Sequence, residues 1–170
     1  MKRPTPSAIK LRELAALAVF AALMIALKDA LAFLPNIEVV TLLVILATVH
    51  MGPKALLAVA VFVAVQPLLY PVDAFWIIAY CYVWPLLVGI VLLLRKWSHP
   101  LLWTVTAGFY GLLFGTLCSL PYFVAGGWGA GIGYIISGIP FDLLHCMGNT
   151  ATVFLLFAPM DRIMKKILPH

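Results

Sequence analysis

Charge is what this sequence holds least of. Only 10% of its 170 residues are Asp, Glu, Lys or Arg, against 65% that are hydrophobic, so it lacks the polar side chains needed to solvate a globular surface. A soluble protein is excluded, and an integral membrane protein is expected. Cysteine is scarce too: Cys81, Cys118 and Cys146 fall inside apolar runs without Cys-x-x-Cys spacing, and they read as small buried apolar side chains rather than disulfide or metal sites. The chain also lacks a Walker-type loop, a His-Glu-x-x-His helix, a Gly-x-Ser-x-Gly turn and a second His or Cys at metal spacing around His145. ATP hydrolysis, zinc proteolysis and elbow-type nucleophilic catalysis have no sequence basis here.

What is present is one apolar run after another. A spanning helix needs roughly 20 predominantly apolar residues, and Pro, Gly and charged clusters divide the chain into spans at 11–34, 38–51, 54–70, 74–94, 100–124 and 132–158. The second and third are short, with tight turns expected at "LPNIE", "HMGPK" and "YPVD". The expected architecture is an all-α integral membrane protein, one domain over residues 1–170 and a single bundle of six transmembrane helices. The basic start, the apolar run behind it and Ala30-Leu31-Ala32 resemble a cleaved signal peptide. An Ala-rich run with Lys28 and Asp29 ahead of that site favours a retained first span.

Orientation follows from Lys and Arg, which stay cytoplasmic. With both termini inside, ten of the eleven basic residues lie on the cytoplasmic side and Lys28 is the exception. The net charge of +5 then reflects topology and carries no nucleic-acid meaning. Acidic residues divide the other way: Asp29, Glu38, Asp73 and Asp142 fall at or near the outer ends of spans, with Glu13 and Asp161 inside. Costly polar groups gather in the outer half.

Two polar or aromatic stripes stand out there. At 100° per residue, Asp142, His145, Asn149 and Thr152 share an arc of about 80° on the last span, and ionisable residues in a span should face the bundle interior or a wet cavity. A stripe of this kind can be interhelical hydrogen-bonding glue, worth only about 0.6 kcal/mol per contact. Ser or Thr would suffice for glue without the charge of Asp142, so binding is the expected role. Asp73, Trp76, Tyr80 and Trp84 share a similar arc of about 80° on the fourth span. Trp76 lies where an interfacial belt is normal, whereas Tyr80 and Trp84 lie deeper; an aromatic cleft with a few polar groups suits a flat, partly polar heterocycle. Gln66 and Tyr70 belong to the same outer region, and the glycine-rich "GGWGAGIG", flanked by Tyr122, Trp128 and Tyr134, reads as a flexible lid or linker.

On the first span, Ala18, Ala22 and Ala26 form an i, i+4 ladder of small residues, the feature that lets helices approach closely in lipid. Lys28 projects about 120° away from the ladder's centre, so one face is free to dock a helix while another turns inward. Docking to a partner and packing within the chain both fit the ladder. Asp29 lies on the ladder side near the outer end and has no assigned role.

Together, the short basic N-terminus, the Ala-x3-Ala-x3-Ala ladder, "LPNIE" after the first span and "GIPFDLLHCMGN" opening the last one resemble a substrate-binding S component of an energy-coupling factor (ECF) transporter. The resemblance covers essentially the whole chain. It implies a non-catalytic, multi-pass subunit of a prokaryotic plasma membrane that captures a micronutrient outside and works with a transmembrane T component and two cytoplasmic ATPases. It assigns Ala18, Ala22 and Ala26 to T-component docking and Asn36, Glu38, Trp76, Tyr80, Trp84, Asp142, His145 and Asn149 to substrate binding, with no cofactor or metal. The "PNIE" loop and the aromatic fourth span look most like S components associated with queuosine-type deazapurine salvage; riboflavin, thiamine, biotin and folate binders also use aromatic pockets. The excess of acid over base in the outer cluster favours a neutral or cationic ligand. A self-sufficient secondary transporter would call for internal repeats or discontinuous spans, and an intramembrane enzyme for a partner to Asp142 and His145; the sequence offers neither.

Overall fold

A computed structural model of the chain describes residues 11–34, 37–70 and 73–168. These residues form six α-helices and two single 3-10 turns, with no strand among them: α1 (Leu11–Ala30), α2 (Val40–Met51), α3 (Ala55–Leu69), α4 (Ala74–Leu94), α5 (Pro100–Cys118) and α6 (Leu120–Ile167). Four stretches are long and apolar enough to cross a membrane, namely Val40–Leu69, Ala74–Trp97, Pro100–Cys118 and Leu120–Ile167. The first helix carries Arg12, Glu13, Lys28 and Asp29 near its ends. Individually α2 and α3 extend only about 18 and 23 Å at 1.5 Å per residue, short of the ~30 Å hydrocarbon core.

The α2–α3 break falls where the "HMGPK" turn is expected. Gly52 adopts φ 60°, a conformation that costs glycine least, and a Cβ there would lie 3.0 Å from the Arg95 guanidinium. Every residue of α2 except Val49 is buried. A helix apolar on all sides belongs at the centre of a bundle, and α2 packs against α1, α4 and α6. Asp73 caps α4 by accepting from the Phe75 amide at 3.2 Å. His99 caps α5, its Nδ1 accepting from the Leu101 amide at 3.2 Å.

The C-terminal third departs from expectation. Helix α5 stops at Cys118 rather than continuing to 124, and the glycine-rich segment is neither lid nor linker: it is helical on both sides of Gly127, the one residue there with non-helical angles (φ 70°, ψ −169°). Glycine's low helix propensity is measured in water, whereas in a bilayer an unpaired backbone amide is the greater cost. From 128 to 167 the helix is about 60 Å long, roughly twice the hydrocarbon thickness. It therefore starts before 132 and continues past 158. Of the three free thiols only Cys118 is buried; Cys81 is exposed on the bundle's outer surface and Cys146 is half-buried.

The tightest seam joins α5 to α6. A Cβ on Gly111 would come within 2.8 Å of the His145 backbone, and one on Gly115 within 2.6 Å of the Asp142 carboxylate. The run Gly111-Leu-Leu-Phe-Gly115 is thus a Gly-x3-Gly contact, the arrangement that brings helix backbones together in lipid.

Candidate functional site

The loop after α1 supplies the polar centre. The Glu38 carboxylate accepts from the amide of Val40 and from that of Thr41 at 3.0 Å, and from the Thr41 hydroxyl at 2.5 Å. It therefore sits on the N-terminus of α2, where unpaired amides and the helix dipole favour an anion. Its other contact crosses the bundle: His145 Nε2 on α6 lies 3.2 Å from Glu38 Oε1. One turn further on, Asn149 donates from Nδ2 to the Thr41 hydroxyl at 3.2 Å and to the Ala107 carbonyl at 3.5 Å. Glu38, His145 and Asn149 thus form one network pinning the first loop, α2, α5 and α6 together. Asn36 lies outside the described residues.

The aromatic stripe of α4 builds the walls. Trp76 and Tyr80 have ring centroids 5.6 Å apart, Tyr80 and Trp84 5.7 Å, and Phe114 of α5 joins them at 5.6 Å from Trp84 and 4.8 Å from the His145 ring. Trp84 is 2% exposed, enclosed by Phe62, Tyr80, Tyr110 and Phe114. Its indole Nε1 and the Oδ1 of Asn149 are buried with no hydrogen-bond partner among the described residues. Buried orphans of this kind are uncommon.

Three clefts meet at Trp76. One of about 280 Å³ is lined by Lys28, Glu38, Tyr70, Trp76, Tyr80 and His145. A second of about 350 Å³ shares Lys28, Tyr70, Trp76 and Tyr80 and adds Gln66 and Asp73. A third of about 420 Å³ lies among α4, α5 and α6, with Trp76, Phe114, Tyr134, Phe141 and Asp142 on its wall. Asp142 thus lines a different cleft from Glu38 and His145, with Trp76 and Phe114 on the walls of both. Its Oδ1 accepts from the Gly115 amide at 2.8 Å, and it faces a chamber of its own. These walls include Trp76 and Tyr80 but not Trp84, which lies behind them.

Several participants carry no site assignment in the sequence reading. Lys28 turns inward as its helical phase requires, its ammonium 5.1 Å from the Tyr70 ring centroid, and the Tyr70 hydroxyl donates to Asp29. Asp73, besides capping α4, accepts from the Tyr122 hydroxyl at 3.3 Å. Thr41 and Phe114 have no sequence signal beyond their types. The Gly111-x3-Gly115 seam does have one, the small-x3-small spacing.

The opposite face of α1 is built differently. Leu17, Phe20, Ala21 and Met24 are buried, whereas Ala18, Ala22 and Ala26 are exposed. Ala18 and Ala22 border an apolar groove of about 290 Å³ shared with Leu57 and Val61 of α3. Among the described residues no cluster of three or more His, Cys, Asp or Glu is suited to hold a metal ion. Comparison with family models, curated proteins and solved structures finds no match to this chain.

Proposed function

We propose that this chain is the substrate-capture subunit of an ECF-type importer, a six-span protein of a prokaryotic plasma membrane with both termini cytoplasmic. In this reading it binds a small heterocyclic micronutrient from outside, a vitamin or a deazapurine of the queuosine-precursor type. A T component and two ATPases then drive uptake, and the subunit itself catalyses nothing. The observation that carries the proposal is the meeting of Glu38 and His145 in a cleft walled by Trp76 and Tyr80. Aromatic faces stack on a flat ring, while a carboxylate and an imidazole read the donors and acceptors on its edge. Asn149, buried behind the cleft and lining none of the three, holds the Thr41 hydroxyl beside Glu38 and so supports the network from within. The outward ladder of Ala18, Ala22 and Ala26 supports the second half of the reading, because small side chains on a lipid-facing surface leave room for a partner helix to come close.

Mass spectrometry of small molecules released from the purified chain tests the capture role. A heterocycle released in roughly stoichiometric amount from the wild type, and lost in Glu38→Gln, is the expected result. Release of nothing above a control membrane protein, from material that is folded and monodisperse, would refute it.

A further inference from the structure

The chamber around Asp142 is built for a different chemical group from the one the Glu38 cleft takes. Four aromatic side chains line it, Trp76 from α4, Phe114 from α5, and Tyr134 and Phe141 from α6, with Asp142 among them. Packing holds these rings in place: Tyr134 stacks on Tyr122 at 4.1 Å, Trp76 leans on Tyr80 at 5.6 Å and Phe114 meets His145 at 4.8 Å. Asp142 is 7% exposed as a residue, and the hydrogen bond to its carboxylate comes from a backbone amide, that of Gly115. None of the ion pairs among the described residues involves Asp142; the nearby His145 directs its Nε2 to Glu38 instead. Gly115 keeps the carboxylate there, since any Cβ at that position would overlap it.

A carboxylate outside the ion pairs of the described residues, set among fixed aromatic faces, is complementary to an organic cation: the ring quadrupoles and the anion attract the same charge. We infer that the Asp142 chamber is a subsite for an ammonium group, primary or methylated, carried by the captured ligand, and that Asp142 is its charge-reading residue. This rests on the capture reading above and adds the class of substituent. The flat ring lies in the Glu38 cleft and its amine-bearing arm passes between Trp76 and Phe114, the two residues common to both spaces. An anionic arm would face a carboxylate that no ion pair among the described residues holds and be disfavoured.

The test uses the full chain in detergent, with phenethylammonium and its neutral counterpart 2-phenylethanol as probes, titrated by calorimetry at neutral pH. The expected result is that the ammonium binds about tenfold or more tightly than the alcohol, and that Asp142→Asn abolishes this preference while leaving the alcohol's affinity in place. Equal affinity of the two probes for the wild type, or no binding of either, overturns the inference without using any variant. A preference that survives Asp142→Asn, or that disappears in Glu38→Gln instead, overturns the assignment to Asp142. Release of a stoichiometric heterocycle bearing no amine or ammonium leaves the capture role standing and removes this subsite alone.

Discussion

Replacing Gly111 by Ala, read against Gly89→Ala, isolates the contact that holds the site together. Both glycines lie inside helices, Gly111 in α5 and Gly89 in α4, so each substitution gains the same helix propensity, about 1 kcal/mol. That gain cancels in the comparison. The surroundings do not cancel: a Cβ on Gly89 meets nothing within 4 Å, whereas one on Gly111 lies 2.8 Å from the carbonyl carbon and oxygen of His145. Ordinary contacts begin at roughly 3.5 Å, so α5 and α6 must separate by more than half an ångström. The obstacle is backbone, and no rotamer change relieves it. Overpacking of this kind costs about 1–3 kcal/mol, which places the melting temperature of Gly111→Ala about 2–12 °C below that of Gly89→Ala for a chain of this length. Thermal unfolding of the two variants side by side in one detergent measures it. Because the displaced residue is His145, 3.2 Å from Glu38, binding of any captured ligand should weaken in Gly111→Ala and stay unchanged in Gly89→Ala. Equal melting temperatures would refute the close α5–α6 seam and, with it, the positioning of His145.

Other substitutions separate packing from binding. Trp84→Ala removes a ring enclosed by Phe62, Tyr80, Tyr110 and Phe114 and should cost about 3–5 kcal/mol of stability, the range for emptying an aromatic core position; an unchanged melting temperature would show that Trp84 is not core. Asn149→Ala leaves the Thr41 hydroxyl without its donor and should weaken ligand binding by about 1–3 kcal/mol, as for one lost buried polar contact, and an unaltered affinity in a calorimetric titration counts against the network. Ala22→Trp should leave ligand binding by the isolated chain intact, since Ala22 is exposed on the face opposite the buried residues of α1. Uptake into cells and recovery of partner subunits should both collapse. Loss of binding with assembly preserved would instead make the ladder an internal seam. At the other end of the bundle, His50 contacts Asp161 at 3.0 Å, and Asp161→Asn should lower thermal stability without touching affinity.

Helix boundaries marked by Pro, charge or a turn glycine were legible in the sequence, as at Gly52 and Asp73. The boundary around Gly127 was not, because a cluster of glycines signals a loop in water and a helix where backbone amides have no solvent. Helical phase correctly put Lys28 on the cleft side of α1 and the alanine ladder on the other. It also put Asp142 and His145 on one stripe, yet their side chains part company, since the Asp142 carboxylate turns to the Gly115 amide while His145 reaches Glu38. Pairing between Glu38 and His145 spans 107 positions, and no periodicity encodes a contact between a loop and a distant helix. Trp84 was read as a wall residue because phase alone cannot tell a cleft from the core behind it. The Gly111-x3-Gly115 seam carried its own spacing signal and needed only to be weighed beside the alanine ladder.

Affinity purification of the tagged chain from membranes that also contain an energising module tests the central claim most directly. The account predicts that a transmembrane partner and two ATPase subunits are recovered with the wild type, and that Ala22→Trp is recovered without them. Recovery of the wild type alone, from cells in which the chain by itself sustains substrate accumulation, would contradict it.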